Sequence, residues 1–326
     1  MTGGGQHTKD FHFPALVNGL DFLVSAVDSL SGDNGQPGPR DVKYAVLHLQ
    51  AAVETLLKAR LEMHSPELVW TKVGAFDQRK HEAGDFSSCS VKKALERLHD
   101  TVQIESTIDP EEDSLKQLGN LRNRIMHFGW KDTVVAVQAR TIPVLDLLVS
   151  FVNTDVLPHV DQPAEAWSAE QQMEQVRAGF KHLTDFIALR MQGVRGQLEG
   201  YEHATAACRS CGQFAVVLDG GAHDLACLLC GKQYGTGEEA AWEFIGASKH
   251  VSIKDGGGDL DGCGTCGAYA VIRTPLAYSP EEDTWLCFGC GSSFEGVCAF
   301  CGQATDLAPR MEDMCSDCYE IRLDNF

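Results

Sequence analysis

Apolar residues recur at intervals of three and four over two stretches near the start of the chain, and these set its organisation. In residues 14–30, Leu16, Leu20, Leu23, Val24 and Val27 fall on one helical face, and the segment stops at the glycine- and proline-rich run 31–39. Residues 40–63 keep the period for six turns through Val42, Val46, Leu49, Val53, Leu56, Leu57 and Leu61, which predicts a long helix capped by Asp41. A polar stretch, 71–88, precedes a third helix from Ser90 to Thr101. Acidic Asp109-Pro110-Glu111-Glu112-Asp113 opens a fourth over 111–128, closed by Gly129. Asp132 or Thr133 caps a fifth, in which Pro143 predicts a kink. A last helical region runs from Ala164 to Glu199, weakened by Gly193 and Gly196. The first two-thirds therefore read as an all-helical bundle. Beyond Tyr201 the helical period gives way to short β-like runs, glycine-rich turns and cysteine pairs.

The chain has 326 residues, 44% hydrophobic and 22% charged, enough for a sizeable core and for two domains or more. The N-terminus lacks a basic segment followed by an apolar run, and no window gives eighteen uninterrupted apolar residues. A soluble cytoplasmic protein without membrane association is expected. Twelve of the thirteen cysteines form six Cys-x-x-Cys pairs, and in a chain without a secretory signal such pairs read as metal ligands rather than disulfides.

The pairs are Cys208 and Cys211 with Cys227 and Cys230; Cys263 and Cys266 with Cys287 and Cys290; and Cys298 and Cys301 with Cys315 and Cys318. Two residues between ligands let one tight turn aim both sulfurs at one ion, and two such turns on facing hairpins complete a tetrahedron. This predicts about three structural Zn2+ ions, since four sulfurs leave no open position for substrate or water. A crossed or nested pairing of the last two groups is open on spacing alone. Five pairs are followed at once by glycine (Gly212, Gly231, Gly267, Gly291, Gly302), where a positive φ turns backbone N–H groups toward the thiolates. Residues 214–218 and 225–229 around Gly220-Gly221 have the form of a zinc ribbon, a core so small that metal must stabilise it. The odd cysteine, Cys89, reads as a buried bystander.

Charge narrows the partners. The formal net charge is −19; residues 1–200 carry 20 Lys+Arg against 27 Asp+Glu, and residues 201–326 carry 7 against 19. Each four-thiolate zinc centre adds about two negative charges. The C-terminal modules thus suit a protein partner or inhibitor better than nucleic acid, and transcription-type DNA binding is the weakest reading.

The fourth helix carries Arg122, Asn123 and His127 among core residues Leu118, Leu121 and Ile125. Asn123 and His127, four apart, share a face, while Arg122 lies about 140° around the helix from His127. One helix does not converge all three on a small ligand. If two copies of the helix meet across a two-fold axis, Arg122 of one protomer can approach His127 of the other, and function would then require a homodimer through the helical domain.

Residues 45–61 (AVLHLQAAVETLLKARL), 91–98 (VKKALERL) and 118–130 (LGNLRNRIMHFGW), in that order and spacing, resemble the HEPN domain, a helical nucleotide-binding fold; the resemblance covers about residues 10–160. Many members are metal-independent endoribonucleases of toxin-antitoxin, abortive-infection or defence systems. Their pattern is Arg, four to six residues, His, usually with a polar residue straight after the Arg, which Arg122, Asn123 and His127 match. The resemblance implies RNA as substrate and cleavage to 2',3'-cyclic phosphate and 5'-hydroxyl ends. His127 is then general acid or base, Arg122 the phosphate-binding cation and Asn123 an orienting group. Arg124 and Lys131 read as solvated, and His48, Glu54 and Lys58 as structural. Trp70 and Trp130 read as core-completing aromatics. The expected architecture is multidomain: an all-α HEPN-like domain with a helical extension over 10–200, then β-rich four-cysteine ribbons over 204–245, 259–294 and 295–326. The competing reading is a non-catalytic HEPN dimer acting as a protein-interaction adaptor.

Overall fold

The computed structural model describes residues 13–33, 35–104, 108, 113–129, 131–220, 224–246, 260–307 and 313–324. The chain divides into two compact units, one ending at Phe186 and the other beginning at Ile187.

In the first unit, α1 (Ala15–Ser31) and α2 (Pro39–His64) pack along their length, as their apolar stripes dictate; Leu20, Leu23, Val46, Leu49 and Leu56 are fully buried between them. Gly19 permits the contact, because a Cβ there would meet Leu56 at 2.7 Å. Asp41 stands one turn inside α2 rather than at its cap: its carboxylate accepts from the Gly38 N–H at 2.8 Å, and Pro39 occupies the first turn, where its missing N–H costs nothing. The polar stretch carries the short α3 (Gln78–Glu82), and α4 (Val91–Arg97) is capped by Ser90 as its sequence predicts. Arg97 is buried and donates to the carbonyls of Leu68, Trp70 (2.6 Å) and Thr71 (3.2 Å), tying the α2–α4 connection to the core. Trp70 is buried and stacks on Phe86 at 4.8 Å between centroids. Cys89 is buried beside the Leu68 carbonyl.

Helix α5 (Asp113–His127) leads through Gly129, at φ 66°, into α6 (Val134–Phe151). Thr133 caps α6, its hydroxyl accepting from the Ala136 N–H at 3.1 Å, and the helix runs unbroken past Pro143. Residues Val134–His159 are long and apolar enough to cross a membrane, but Ile142, Val144, Leu145, Leu148 and Val149 are spent on the core of this unit. The last helical region is two helices, α7 (Pro163–Gly179) and α8 (Thr184–Leu198), and α8 passes through Gly193 and Gly196 without interruption. The two helices are joined by a 3-10 turn, Phe180–His182, just after Gly179, which lies against α1, where a Cβ would meet Val27 at 2.4 Å. Residues 1–12, Asp109 to Glu112 and Trp130 lie outside the described residues.

In the second unit, short strands follow: β1 (Thr205–Ala207), β2 (Phe214–Val217), β3 (Leu225–Ala226), β4 (Gln233–Gly235), then α9 (Gly237–Ile245). Next come β5 (Asp261–Cys263), β6 (Tyr269–Leu276), β7 (Ser279–Cys287), β8 (Ser293–Phe294), β9 (Gly296–Val297), β10 (Gln303–Thr305) and α10 (Ser316–Asp324). Among the described residues, β3 and β4 stand apart as a two-stranded pair. The other eight described strands form one sheet in which β1 joins β6 antiparallel and β5 joins β10 in parallel, so the three cysteine modules are fused rather than strung as separate beads.

Candidate metal centres and the α5 cluster

One local turn builds five of the six cysteine pairs. In each, the N–H of the first cysteine donates to the carbonyl five residues on (Gln213, Lys232, Ala268, Ser292, Gln303), closing a loop of six residues. The glycine after the second cysteine adopts φ between 69° and 76° and donates back to the carbonyl of the first cysteine at 2.8–2.9 Å. The glycines are thus needed for their φ, but their N–H groups do not turn to sulfur. The thiolate donors are the N–H groups inside the turns: Cys230 to Cys227, and Cys266 and Thr265 to Cys263, at 3.4–3.5 Å. The sixth pair differs. Cys315 precedes α10 and Cys318 lies in its first turn, so the third module joins one turn to a helix start instead of two facing hairpins.

The cysteines gather as three groups of four, each with its sulfurs within 4.8 Å of one another. The pairing follows chain order, so the last two groups are neither crossed nor nested. Sulfurs lie 3.7 and 3.8 Å apart in the first group, 3.7 Å in the second and 3.9 Å in the third. A disulfide requires about 2.05 Å. Four ligands on a tetrahedron at about 2.3 Å from a central ion stand about 3.8 Å apart, which the groups match. Three metal ions fit.

The electrostatics of the sulfurs calls for that charge. In the first group, hydrogen bonding from Cys211 drives the Cys208 thiol far down, while its neighbours Cys211, Cys227 and Cys230 are pushed up by that same ionised sulfur and by burial. Cys263 and Cys298 repeat the pattern. Burial raises both, but the N–H groups of Cys266 and Thr265 bring Cys263 to about 7, and those of Cys301, Cys315 and Phe300 bring Cys298 to about 6. In each group the leading cysteine is driven down and its charge helps to raise neighbours, Cys211, Cys227 and Cys230 in the first, Cys266 and Cys287 in the second, Cys301 and Cys318 in the third; a central cation removes that opposition.

The centres differ in cover. All four sulfurs of the first are buried, whereas Cys266 in the second and Cys301 in the third are exposed. Tyr234 completes the first: its hydroxyl lies 3.1 Å from Cys208 Sγ and accepts from the Arg209 N–H at 3.0 Å. Ser292 stands 3.3 Å from Cys290. Neither supporting hydroxyl was marked by cysteine spacing. The first and second modules touch backbone to backbone. A Cβ would meet the Phe288 carbonyl oxygen at 2.3 Å on Gly237, the Cys290 carbonyl oxygen at 2.7 Å on Gly220, and the Leu218 carbonyl oxygen at 2.1 Å on Gly291.

No family model, curated protein or solved structure matches this chain.

On α5, Leu118 and Leu121 are buried while Arg122 is half-buried and Asn123 and His127 are exposed. Arg122 donates to Asn123 Oδ1 at 3.1 Å, which fixes the amide beside the guanidinium. Among the described residues, the His127 ring lies against that of its neighbour Phe128, edge to face at 6.1 Å. The helix therefore offers a cation, an amide and an imidazole to solvent at its C-terminal end, with Arg122 and His127 on different sides as their spacing requires. Three large apolar side chains are exposed nearby in sequence: Met126 (52%), Phe128 (83%) and Val135 (69%).

Proposed function

We propose that the helical unit is a metal-independent endoribonuclease of the HEPN type, active as a two-fold dimer, and that the second unit is a zinc-stabilised platform for a target or protein partner. The observation that carries the nuclease reading is the accessible Arg122, Asn123 and His127 set on α5, beside apolar Met126, Phe128 and Val135 that a second copy would bury. In this reading Arg122 of one protomer holds the scissile phosphate and the charge that grows on it, with Asn123 keeping the guanidinium in place. His127 takes the proton of the 2'-hydroxyl as its oxygen forms a bond to phosphorus. The bond to the 5'-oxygen breaks, and the leaving oxygen takes a proton from the partner's copy of the same imidazole. The products are a 2',3'-cyclic phosphate and a 5'-hydroxyl. Zinc is the metal we assign to the three sulfur groups, because four soft thiolates in tetrahedral array select it in a reducing cytoplasm, and it serves there as structure.

The adaptor reading keeps one specific support: residues 201–326 hold 7 Lys+Arg against 19 Asp+Glu, a surface that suits a basic protein and not RNA. Incubation of the purified protein with total RNA in EDTA decides between them. The nuclease is expected to cleave, and His127→Ala and Arg122→Ala each to lose at least about a hundredfold in rate. No cleavage by any form at high protein concentration, or equal cleavage by all three, overturns the enzyme.

A further inference from the structure

A pocket of about 350 Å3 opens beside the C-terminal end of α5, between the starts of α2 and α6. Val42, Ile125, Val134 and Val137 give it apolar walls, and Lys43 and Asp132 stand in it as charged groups. The volume is at the small end for small-molecule sites and has room for one nucleoside. Ile125 follows Arg122 by three residues, one turn along the same side of α5, so the pocket lies about 5 Å along the helix from the guanidinium's own turn.

The two charged groups have opposite and single-minded hydrogen-bonding character. Asp132 is pinned in place: one oxygen accepts from the Thr133 N–H at 2.9 Å and the other from Arg140 Nη1 at 3.0 Å. Thr133 first, and then Arg140, hold its carboxyl below the usual range, so at neutral pH it accepts and never donates. Lys43, whose ammonium lies 5.3 Å from the Tyr44 ring centre, only donates. Among the RNA bases only guanine carries two adjacent donors, N1–H and N2–H2, on the edge that also bears an acceptor, O6. Adenine sets one donor beside one acceptor, cytosine one donor beside two acceptors, and uracil has one donor between two acceptors.

We propose that this pocket holds a guanine of single-stranded RNA, with its N1–H and N2–H2 edge on the Asp132 carboxylate, O6 toward Lys43 and the ring between Val42, Ile125 and Val134. The choice of RNA as the source rests on the nuclease reading; the edge itself is shared with free guanine nucleotides. Arg122 and the pocket would then set the register of cleavage, one by charge and the other by base.

Binding is measured on full-length His127→Ala protein, which separates recognition from turnover, by calorimetry with the four nucleoside monophosphates and with short RNAs that contain or lack a single guanine. Guanosine monophosphate and the guanine-bearing RNA are expected to bind about tenfold or more tightly than their counterparts, the discrimination of one bidentate contact. Asp132→Asn, which keeps the shape, and the exposed change Lys43→Gln should erase that preference, and Val134→Phe should block binding with the helical circular dichroism intact. Tight binding of the monophosphate alone, with no preference among RNAs, would overturn the RNA assignment. Equal affinity for all four bases, or a preference unchanged in Asp132→Asn, overturns the pocket. Because binding is read without cleavage, RNA cut by wild-type protein with no guanine preference sinks this inference and spares the nuclease. Guanine binding without cleavage by any form does the reverse.

Discussion

Gly291 permits a worked perturbation of the fused cysteine modules. It sits at φ 74°, and a Cβ built on it would lie 2.1 Å from the Leu218 carbonyl oxygen. Gly212 has the same φ, 74°, and nothing within 4 Å of such an atom. Gly212→Ala should therefore cost only the left-handed strain of an L-residue, about 1–2 kcal/mol. Gly291→Ala should cost that strain plus an overpacking of about 1–3 kcal/mol, because backbone on both sides must part by about 1 Å to reach van der Waals separation. A gap of about 2 kcal/mol between two chemically identical changes thus isolates the contact between the first and second modules. Guanidinium melts of the zinc-loaded protein, followed by Trp285 and Trp242 fluorescence alongside zinc release to a coloured chelator, measure it. Gly291→Ala should also give up metal at lower denaturant than Gly212→Ala. Equal midpoints would refute the backbone contact and the fusion argued from it.

Two further outcomes follow. Removal of metal with a strong chelator should unfold the second unit while most of the helical circular dichroism of α1 to α7 persists; loss of most of that signal would count against a helical core that holds itself together. Asp132, whose carboxyl is depressed by the Thr133 N–H and Arg140, should stabilise the start of α6 above about pH 4, and the contribution should vanish as pH falls through its lowered folded value. The stability difference between wild type and Asp132→Asn should accordingly be present at pH 7 and shrink by pH 3; a difference equal at both would show that the charge is not what acts.

Sequence periodicity is sufficient for α1 and α2, because their apolar stripes are long and each faces a core that wants them, and boundary or cap residues mark the starts of α4 and α6. The cysteine groups were legible for a different reason: turn geometry is local, and a ligand pair two residues apart leaves little freedom. What escaped was everything decided by distant contacts. The close approach of Gly179 to Val27 joins residues some 150 positions apart, and the two glycines inside α8 do not interrupt that helix. The parallel pairing of β5 with β10 rests on strands of three residues each, too short to carry any alternation. Tyr234 supports the first sulfur group from a strand outside every cysteine turn, and the helix that supplies Cys318 replaces a hairpin that the spacing equally allows. On α5 the motif was readable, while the pocket beside it needed α2 and α6 brought together.

The joined sheet bears on how the protein is made. A ribosome releases β1 well before β6, its partner, and β5 about forty residues before β10. The early metal turns must therefore wait with unpaired edges until the final stretch of chain emerges. Premature termination between β1 and β10 would leave sticky, half-built strands rather than a shorter set of intact fingers.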